Sequence, residues 1–166
     1  MKLTYENGEQ YFMKFNQVFH LSLAVSLLPF GLLFLARKKG FEVVIAQEWL
    51  WWSINIILPV IIVWLVYTAQ QSYRRAMGEL DKDWSLRQKL DFYYEISFNK
   101  YLRTGAATVL VVLGYALYDG FLFVGLYVAI LFYLSLSRPS ERNMERAMRL
   151  SNEEKKVFRD REGRIG

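Results

Sequence analysis

The chain contains no cysteine, and this absence removes several classes of function at once. Without thiols it has no disulfides, no thiol redox chemistry, no Fe–S ligation and no cysteine-based zinc site. Histidine is almost absent as well, since His20 is the only one in 166 residues. The apolar stretches hold no carboxylate pair, no HExxH helix, no Ser–His–Asp set and no glycine-rich phosphate loop. The sequence therefore predicts a protein that is not an enzyme and that binds no metal and no cofactor.

Charge is missing from three long stretches, and these predict membrane spans. Residues 15–36 give twenty-two uncharged positions in a row, and residues 49–73 give twenty-five. A transmembrane helix needs about 20 mostly apolar residues to cross roughly 30 Å of hydrocarbon. The third stretch, 104–137, has thirty-four residues and a single charged one, Asp119. Because Asp followed by Gly favours a turn, we interpret this stretch as two antiparallel spans joined at Asp119 and Gly120.

Together the stretches predict an all-α, four-transmembrane-helix bundle. Residues 1–137 would form the membrane domain. Its spans are predicted at about 15–36, 49–69, 104–118 and 121–137, with a cytoplasmic linker at 70–103 and a cytoplasmic helical tail at 138–166. The last two spans are short, so the flanking arginines must snorkel to the headgroups or the bilayer must thin locally. Residues 1–10 are polar, and we expect them to be loosely ordered.

The linker and the tail are predicted to carry amphipathic helices. Ser85 is a predicted cap for a linker helix whose apolar residues share one side. That helix could lie on the membrane surface, pack against a partner, or extend the third span into the cytosol, and the pattern leaves all three open. In the tail, Ser140 and Ser151 are predicted helix caps, and Ser151 has the capping-box spacing to Glu154.

The basic residues predict the orientation in the membrane. With the N-terminus inside, eighteen Lys and Arg residues fall on the inner side and three, at 37–39, fall on the outer side. By the positive-inside rule the chain is N-in and C-in in a bacterial-type inner (plasma) membrane. The basic inner side favours anionic lipid headgroups as partners. Nucleic acid is not an expected partner, because the charges alternate in sign and no base-stacking platform accompanies them.

Five residues in the apolar stretches are candidates for a polar intramembrane site: His20, Pro29, Asn55, Pro59 and Asp119. An intramembrane ionisable residue is a functional candidate, although a neutral His20 bonded to a hydroxyl or carbonyl is a simpler interpretation than a cofactor ligand. Pro29 and Pro59 fall at comparable depths, and each frees a helix carbonyl, which would suit a polar-lined path beside Asn55. The simpler interpretation is that membrane helices tolerate single prolines. Asp119 is predicted to be a turn residue.

Three small residues are predicted to pack helices together. Gly114 lies on the third predicted span, and Gly125-x-x-x-Ala129 on the fourth is a small-xxx-small pattern. Such patterns let helix backbones approach closely within a membrane. Packing inside the hairpin is favoured here over a dimer face.

The leading hypothesis for function is a non-enzymatic interaction or accessory subunit. It would form a homo-oligomer or join other membrane subunits, and it would dock through apolar residues of the linker and tail, namely Leu86, Leu90, Met144 and Met148. The alternative is a small oligomeric transporter or channel that uses the polar site near the two prolines. The absence of reactive groups from the predicted spans favours the first hypothesis.

Overall fold

All regular structure in the described part of the chain is helical. The structure is a computed structural model that describes residues 4–41, 48–81, 83–118 and 120–160. Its elements are α1 (Gly8–Lys38), α2 (Glu48–Trp52), a π-helix (Ser53–Ile57), α3 (Leu58–Gly78), α4 (Leu86–Leu117), α5 (Phe121–Leu136), α6 (Glu141–Ala147) and α7 (Asn152–Arg159). The prediction of an all-α fold is confirmed for these residues.

Two helical segments are long and apolar enough to cross a membrane. They are α1, with 31 residues, and the continuous segment Trp49–Gly78, with 30 residues. A third candidate arises if α5 and α6, which are bent by 78° at the break between them, form one broken span. The chain is thus a helical protein with two or three helices able to cross a membrane. The four-span bundle stays a prediction.

Helix α4 unites the predicted linker helix and the predicted third span in 32 residues. It begins after Ser85, whose hydroxyl accepts from the Gln88 backbone N–H while the Gln88 side chain accepts from the Ser85 N–H. This reciprocal pair satisfies donors that a helix start leaves without partners. No proline interrupts the helix, so nothing ends it where the apolar stretch begins. Of the three alternatives for the linker helix, the structure has the one that extends the third predicted span.

The first of two compact units, here called unit 1, is built from the described parts of residues 1–20, 70–100 and 138–166. Its core consists mainly of aromatic and methionine side chains from several helices. Fully buried members are Tyr11, Phe15, Leu90, Tyr94, Met144 and Met148. Phe15 of α1 makes edge-to-face contacts with Tyr93 and Tyr94 of α4, with ring centroids 5.7 and 5.9 Å apart. The apolar sides of the linker and tail helices are therefore buried inside the chain itself.

Tyr5 overturns the expectation that the N-terminal residues are loose, as far as they are described. Its ring packs edge-on against Tyr11 with centroids 5.0 Å apart, and its hydroxyl donates to the Asp91 carboxylate at 2.9 Å. Burial raises the pKa of Tyr5 well above its usual value, and the bond to Asp91 adds to the increase. The sequence pattern missed this because a single tyrosine among polar residues carries no periodicity.

Both predicted caps of the tail helices are confirmed. The Ser140 hydroxyl accepts from the Asn143 N–H at 3.3 Å. The Ser151 hydroxyl accepts from the Glu154 N–H at 3.2 Å, and the Glu154 carboxylate accepts in return from the Ser151 N–H at 2.7 Å. Residue spacing alone predicted these caps, because a capping box is complete within four consecutive residues.

Unit 2, the second compact unit, contains the described parts of residues 21–69 and 101–137. Phe30 of α1 stacks on Tyr127 of α5 with ring centroids 3.8 Å apart. The Tyr127 hydroxyl donates to the Ser26 hydroxyl at 3.5 Å. At the C-terminal end of α5, the hydroxyl of Tyr101 of α4 donates to the Ser137 carbonyl at 3.0 Å. The stretch of α4 from Tyr101 onward and α5 therefore form an antiparallel hairpin that packs on α1.

Arg37 of α1 caps the C-terminal end of α4. Its Nη2 atom donates to the carbonyls of Tyr115 at 3.2 Å and Ala116 at 2.8 Å. The last carbonyls of a helix have no intrahelical donor, and the helix dipole favours a cation beside them. From the sequence, Arg37 was one of three basic residues that oppose the positive-inside rule. The structure gives it a packing role that accounts for its position.

A π-helical turn accompanies the proline of α3. The Leu58 N–H donates to the Ser53 carbonyl, five residues back, which is the π-helical pattern. Pro59, which has no backbone N–H, directly follows this π-helical turn as the second residue of α3. The helix carbonyl that Pro59 leaves without a donor is that of Asn55, four residues earlier, and it lies in this widened turn.

Candidate functional site

A cleft of about 350 Å³ in unit 1 is the candidate functional site. Three helices form it: the first turns of α1, the start of α6 and the end of α7. It is lined by Gly8, Glu9, Phe12, Met13, Glu141, Phe158 and Arg159. Its floor is apolar and its rim carries charges of both signs, so it can receive a group that is apolar on one side and charged at its tip.

The cleft exists because α1 and α7 touch at their backbones. Gly8 is buried, and a Cβ atom added there would lie 1.9 Å from the carbonyl oxygen of Phe158. The Phe158 ring also packs edge-on against Tyr11, with centroids 6.4 Å apart. Only glycine allows so close an approach. The position of α7, and with it one wall of the cleft, depends on this residue.

Two ion pairs hold α7 in unit 1. Lys89 of α4, which is buried, donates to Glu154 at 2.7 Å. Arg159 donates through two nitrogens to the Glu145 carboxylate of α6, at 2.6 and 2.8 Å. The hydrogen bonds from Arg159 hold the pKa of Glu145 below its usual value. Bidentate pairs of this kind fix geometry as well as charge.

Carboxylates outnumber cations around the cleft. Glu9 and Glu141 line it together with Arg159, which is already bound by Glu145. Three carboxylates thus surround one guanidinium, in a chain whose net charge is +5. Glu141 is exposed, and Met13 is 57 % exposed beside it on the cleft wall. A basic side chain carried on an apolar segment is the complementary ligand.

The sequence pointed to other residues in unit 1. Of the four residues predicted to dock a partner, Leu90, Met144 and Met148 are fully buried in the unit's own core and present no docking face, whereas Leu86 is half-buried. The cleft was missed because amphipathic patterns predict a buried face without saying what buries it. One signal was available: Met13 is apolar and lies on the side of α1 opposite to Phe15.

Unit 2 contains a second, apolar groove of about 280 Å³ between α3 and α5. Its lining is Ile62, Val63, Val66, Tyr67, Leu126, Ala129, Ile130 and Tyr133. The predicted polar site at the proline level lies elsewhere, since none of its residues lines this groove. A hydrocarbon chain or a helix of another subunit fits such a surface.

The predicted intramembrane site residues occupy unremarkable positions. His20 is exposed, and its ring packs edge-on to Phe19 with centroids 5.5 Å apart. Pro29 is exposed on α1, which continues through it to Lys38. The Asn55 amide donates to the Trp51 carbonyl of its own helical turn at 2.9 Å. Asp119 lies outside the described residues. The structure shows no shared cavity for the described members of this set.

The three predicted packing residues differ in their surroundings. Gly114 packs directly under Phe123, because a Cβ there would lie 2.3 Å from a ring carbon. Gly125 has open space around it, with no atom within 4 Å of an added Cβ. Ala129 is exposed on the wall of the α3–α5 groove. The hairpin thus uses Gly114, while Gly125 and Ala129 lie on its outer surface.

Comparison with known proteins finds no family model, no curated protein and no solved structure that matches the chain. Within the described ranges, no group of three His, Asp or Glu side chains is arranged to hold a metal ion. The geometry of the two units is therefore the basis for the proposals that follow.

Proposed function

We propose that this chain is a non-enzymatic, four-span protein of a bacterial inner membrane that serves as an interaction or accessory subunit. Its N- and C-terminal segments and the linker at 70–103 lie on the cytoplasmic side, and the spans cross the membrane at about 15–36, 49–69, 104–118 and 121–137. It assembles either with further copies of itself or with other membrane subunits. Anionic lipid headgroups contact its basic inner face.

Contacts inside unit 2 support the four spans. Arg37 caps α4, so the C-terminal ends of α1 and α4 lie at one level. Tyr101 bonds to Ser137, so the end of α5 lies beside residue 101 of α4. From 101 to 117 a helix rises about 25 Å. If α1 crosses the membrane, α4 crosses in the same direction and α5 returns.

The cleft in unit 1 is the observation that supports an interaction role. It combines the apolar side chains of Phe12 and Met13 with an exposed carboxylate at Glu141, and the described residues that line it form no catalytic constellation. We infer that it receives a lysine or arginine of a partner protein, carried on an apolar segment. The buried core of unit 1 supplies the rigid frame that such a contact needs.

Native mass spectrometry of the protein, extracted gently from its own host membranes, tests the proposal. We expect masses above the 19.7 kDa of the single chain. Glu141→Arg should remove the partner by repelling its basic side chain. Glu153→Arg is the matched control, because Glu153 is also an exposed glutamate in the first turn of a tail helix.

Each outcome of that experiment has a defined meaning. A complex lost in Glu141→Arg and kept in Glu153→Arg supports docking at the cleft. A multiple of the chain mass identifies self-assembly, for which the outer surface at Gly125 and Ala129 is the first candidate. A single chain in every extraction contradicts the interaction role, and equal behaviour of the two variants excludes the cleft as its location.

A small oligomeric transporter or channel is the second candidate. The observation that favours it is the π-helix at Ser53–Ile57, since π-helical turns occur frequently at functional sites. Asn55 lies in that turn and Pro59 follows it. A path at this level, near Pro29 of α1, requires several copies, because four helices enclose little space.

A further inference from the structure

Basic and hydroxyl side chains converge in unit 1 where α3 ends and α4 passes. Lys100 of α4 places its Nζ atom 4.7 Å from the centre of the Tyr73 ring of α3. The Tyr73 hydroxyl lies within hydrogen-bonding reach of Tyr93 of α4, which is buried. Arg74 follows Tyr73 and is exposed, whereas Lys100 is only 8 % exposed. A cation packed on an aromatic ring thus lies beside a second cation that reaches solvent.

The charges in this cluster repel each other. Burial lowers the pKa of Lys100 to about 8, and the positive charge of Arg74 adds to the effect. An anion bound near the two side chains would offset their repulsion and favour the charged form of the Lys100 amine. The cluster is therefore electrostatically suited to a negative ligand.

Ser97 adds a hydroxyl to the same side of α4. It is three residues before Lys100, so the two side chains are neighbours on the helix surface. Its Oγ atom is buried and has no hydrogen-bond partner among the described residues. Buried polar atoms in native proteins are rarely left without a hydrogen-bond partner, and an ordered water or a ligand commonly supplies one.

The position of the cluster along the chain indicates where its ligand comes from. Arg74 directly follows the uncharged stretch 49–73, and Lys100 lies four residues before the uncharged stretch that begins at Thr104. Both side chains therefore belong at the surface of the membrane, at the level of the headgroups. Basic pockets between helices at the cytoplasmic surface are typical sites for anionic phospholipids.

We propose that Arg74 and Lys100, supported by Tyr73 and Ser97, form a binding site for the phosphate group of an anionic phospholipid. The ligand is a lipid of the inner leaflet, and Arg74 contacts the phosphate from the solvent side. The site differs from general attraction to a basic surface, because it requires these side chains and not their charge alone. It rests on the proposed orientation, in which this end of α3 faces the cytoplasm.

The test is lipid binding by the full chain, delipidated in detergent and measured by native mass spectrometry. Wild-type protein should bind phosphatidylglycerol about tenfold more tightly than phosphatidylcholine, because the choline cation of the second lipid offsets the charge of its phosphate and is repelled by Arg74 and Lys100. Arg74→Gln should abolish this preference. Arg75→Gln is the matched control, because Arg75 is also exposed and carries the same charge. It should retain the preference, since Arg75 is not part of the proposed site. Lys100→Gln should also abolish the preference. If this substitution at a buried position unfolds the protein, the Arg74→Gln variant still decides the test.

Three results would overturn the site. One is an unchanged preference in Arg74→Gln, and another is an equal loss in Arg74→Gln and Arg75→Gln, which would indicate diffuse charge. The third is Arg74-dependent binding of inorganic phosphate without binding of the lipid, which would assign a soluble phosphate compound as the ligand. Lipid binding measured in detergent depends neither on the orientation of the chain in a membrane nor on a protein partner. A failure of the lipid site is therefore distinguishable from a failure of the proposed function.

Discussion

At the scale of single residues, the glycines separate into those that permit a contact and those that do not. Gly8 and Gly114 lie where an added Cβ would overlap Phe158 and Phe123. Gly31 and Gly125 are helical as well, yet nothing lies within 4 Å of an added Cβ. The first pair positions helices, and the second pair leaves room on the surface.

Gly8→Ala should destabilise unit 1. The new Cβ would lie 1.9 Å from the Phe158 carbonyl oxygen, so two backbones must separate. Overpacking of this kind costs about 1–3 kcal/mol. We expect a lower thermal midpoint in detergent and faster proteolysis of the tail. Gly31→Ala makes the same change in the same helix without a neighbour, and a midpoint lowered equally in both variants would contradict the contact.

At the scale of elements, α4 makes contacts with several other helices along its length. Its first half holds α7 through Lys89, and its C-terminal end is held by Arg37. The tail helices are not free to dock elsewhere, because Met144 and Met148 are fully buried. A partner of unit 1 would therefore have to contact residues outside this core, such as those that line the cleft.

Arg37→Met should loosen the end of α4. It removes two hydrogen bonds from a charged donor to the carbonyls of Tyr115 and Ala116. Hydrogen bonds to charged groups contribute about 1.5–3 kcal/mol, and the free energy of unfolding in micelles should fall by that order. Lys39→Met removes the same charge from an exposed position, where changes stay within about 0.5 kcal/mol. Similar losses in the two variants would refute the cap.

At the scale of the whole molecule, the four membrane crossings are a prediction that labelling from one side of the membrane tests. The chain lacks cysteine, so single introduced cysteines report their side without background. In intact cells a membrane-impermeant maleimide should label Lys39→Cys and Phe121→Cys. Glu79→Cys and Lys156→Cys should react only after permeabilisation. Phe121 is 96 % exposed at the tip of the hairpin, which makes it the deciding position. If Phe121→Cys reacts only after permeabilisation while Lys39→Cys reacts in intact cells, the hairpin does not cross and the four-span bundle is wrong.

The same reagent separates the two candidate functions. Asn55→Cys labelled from outside would favour a water-filled path and the transporter hypothesis. If Asn55→Cys is not labelled while Lys39→Cys is labelled under the same conditions, the result counts against that path.

The sequence alone determined the class of this protein and the ends of several helices. Uncharged stretches such as 49–73 predict helices long enough to cross a membrane whatever they pack against, since the bilayer itself sets the requirement. Caps such as Ser140 and Ser151 were predictable because all their atoms lie within one turn. His20, Pro29, Asn55 and Pro59 lie on helical segments, but no pattern indicated what would surround them.

Only the tertiary structure decided which faces meet. Lys89 and Glu154 are 65 residues apart, and Arg37 reaches a carbonyl 79 residues further along the chain. A periodic pattern predicts that a face is buried, but its partner depends on how the helices are arranged in space. The cleft and the burial of the predicted docking residues follow from that arrangement. Local patterns are determined by near neighbours, whereas sites are formed by residues that folding brings together.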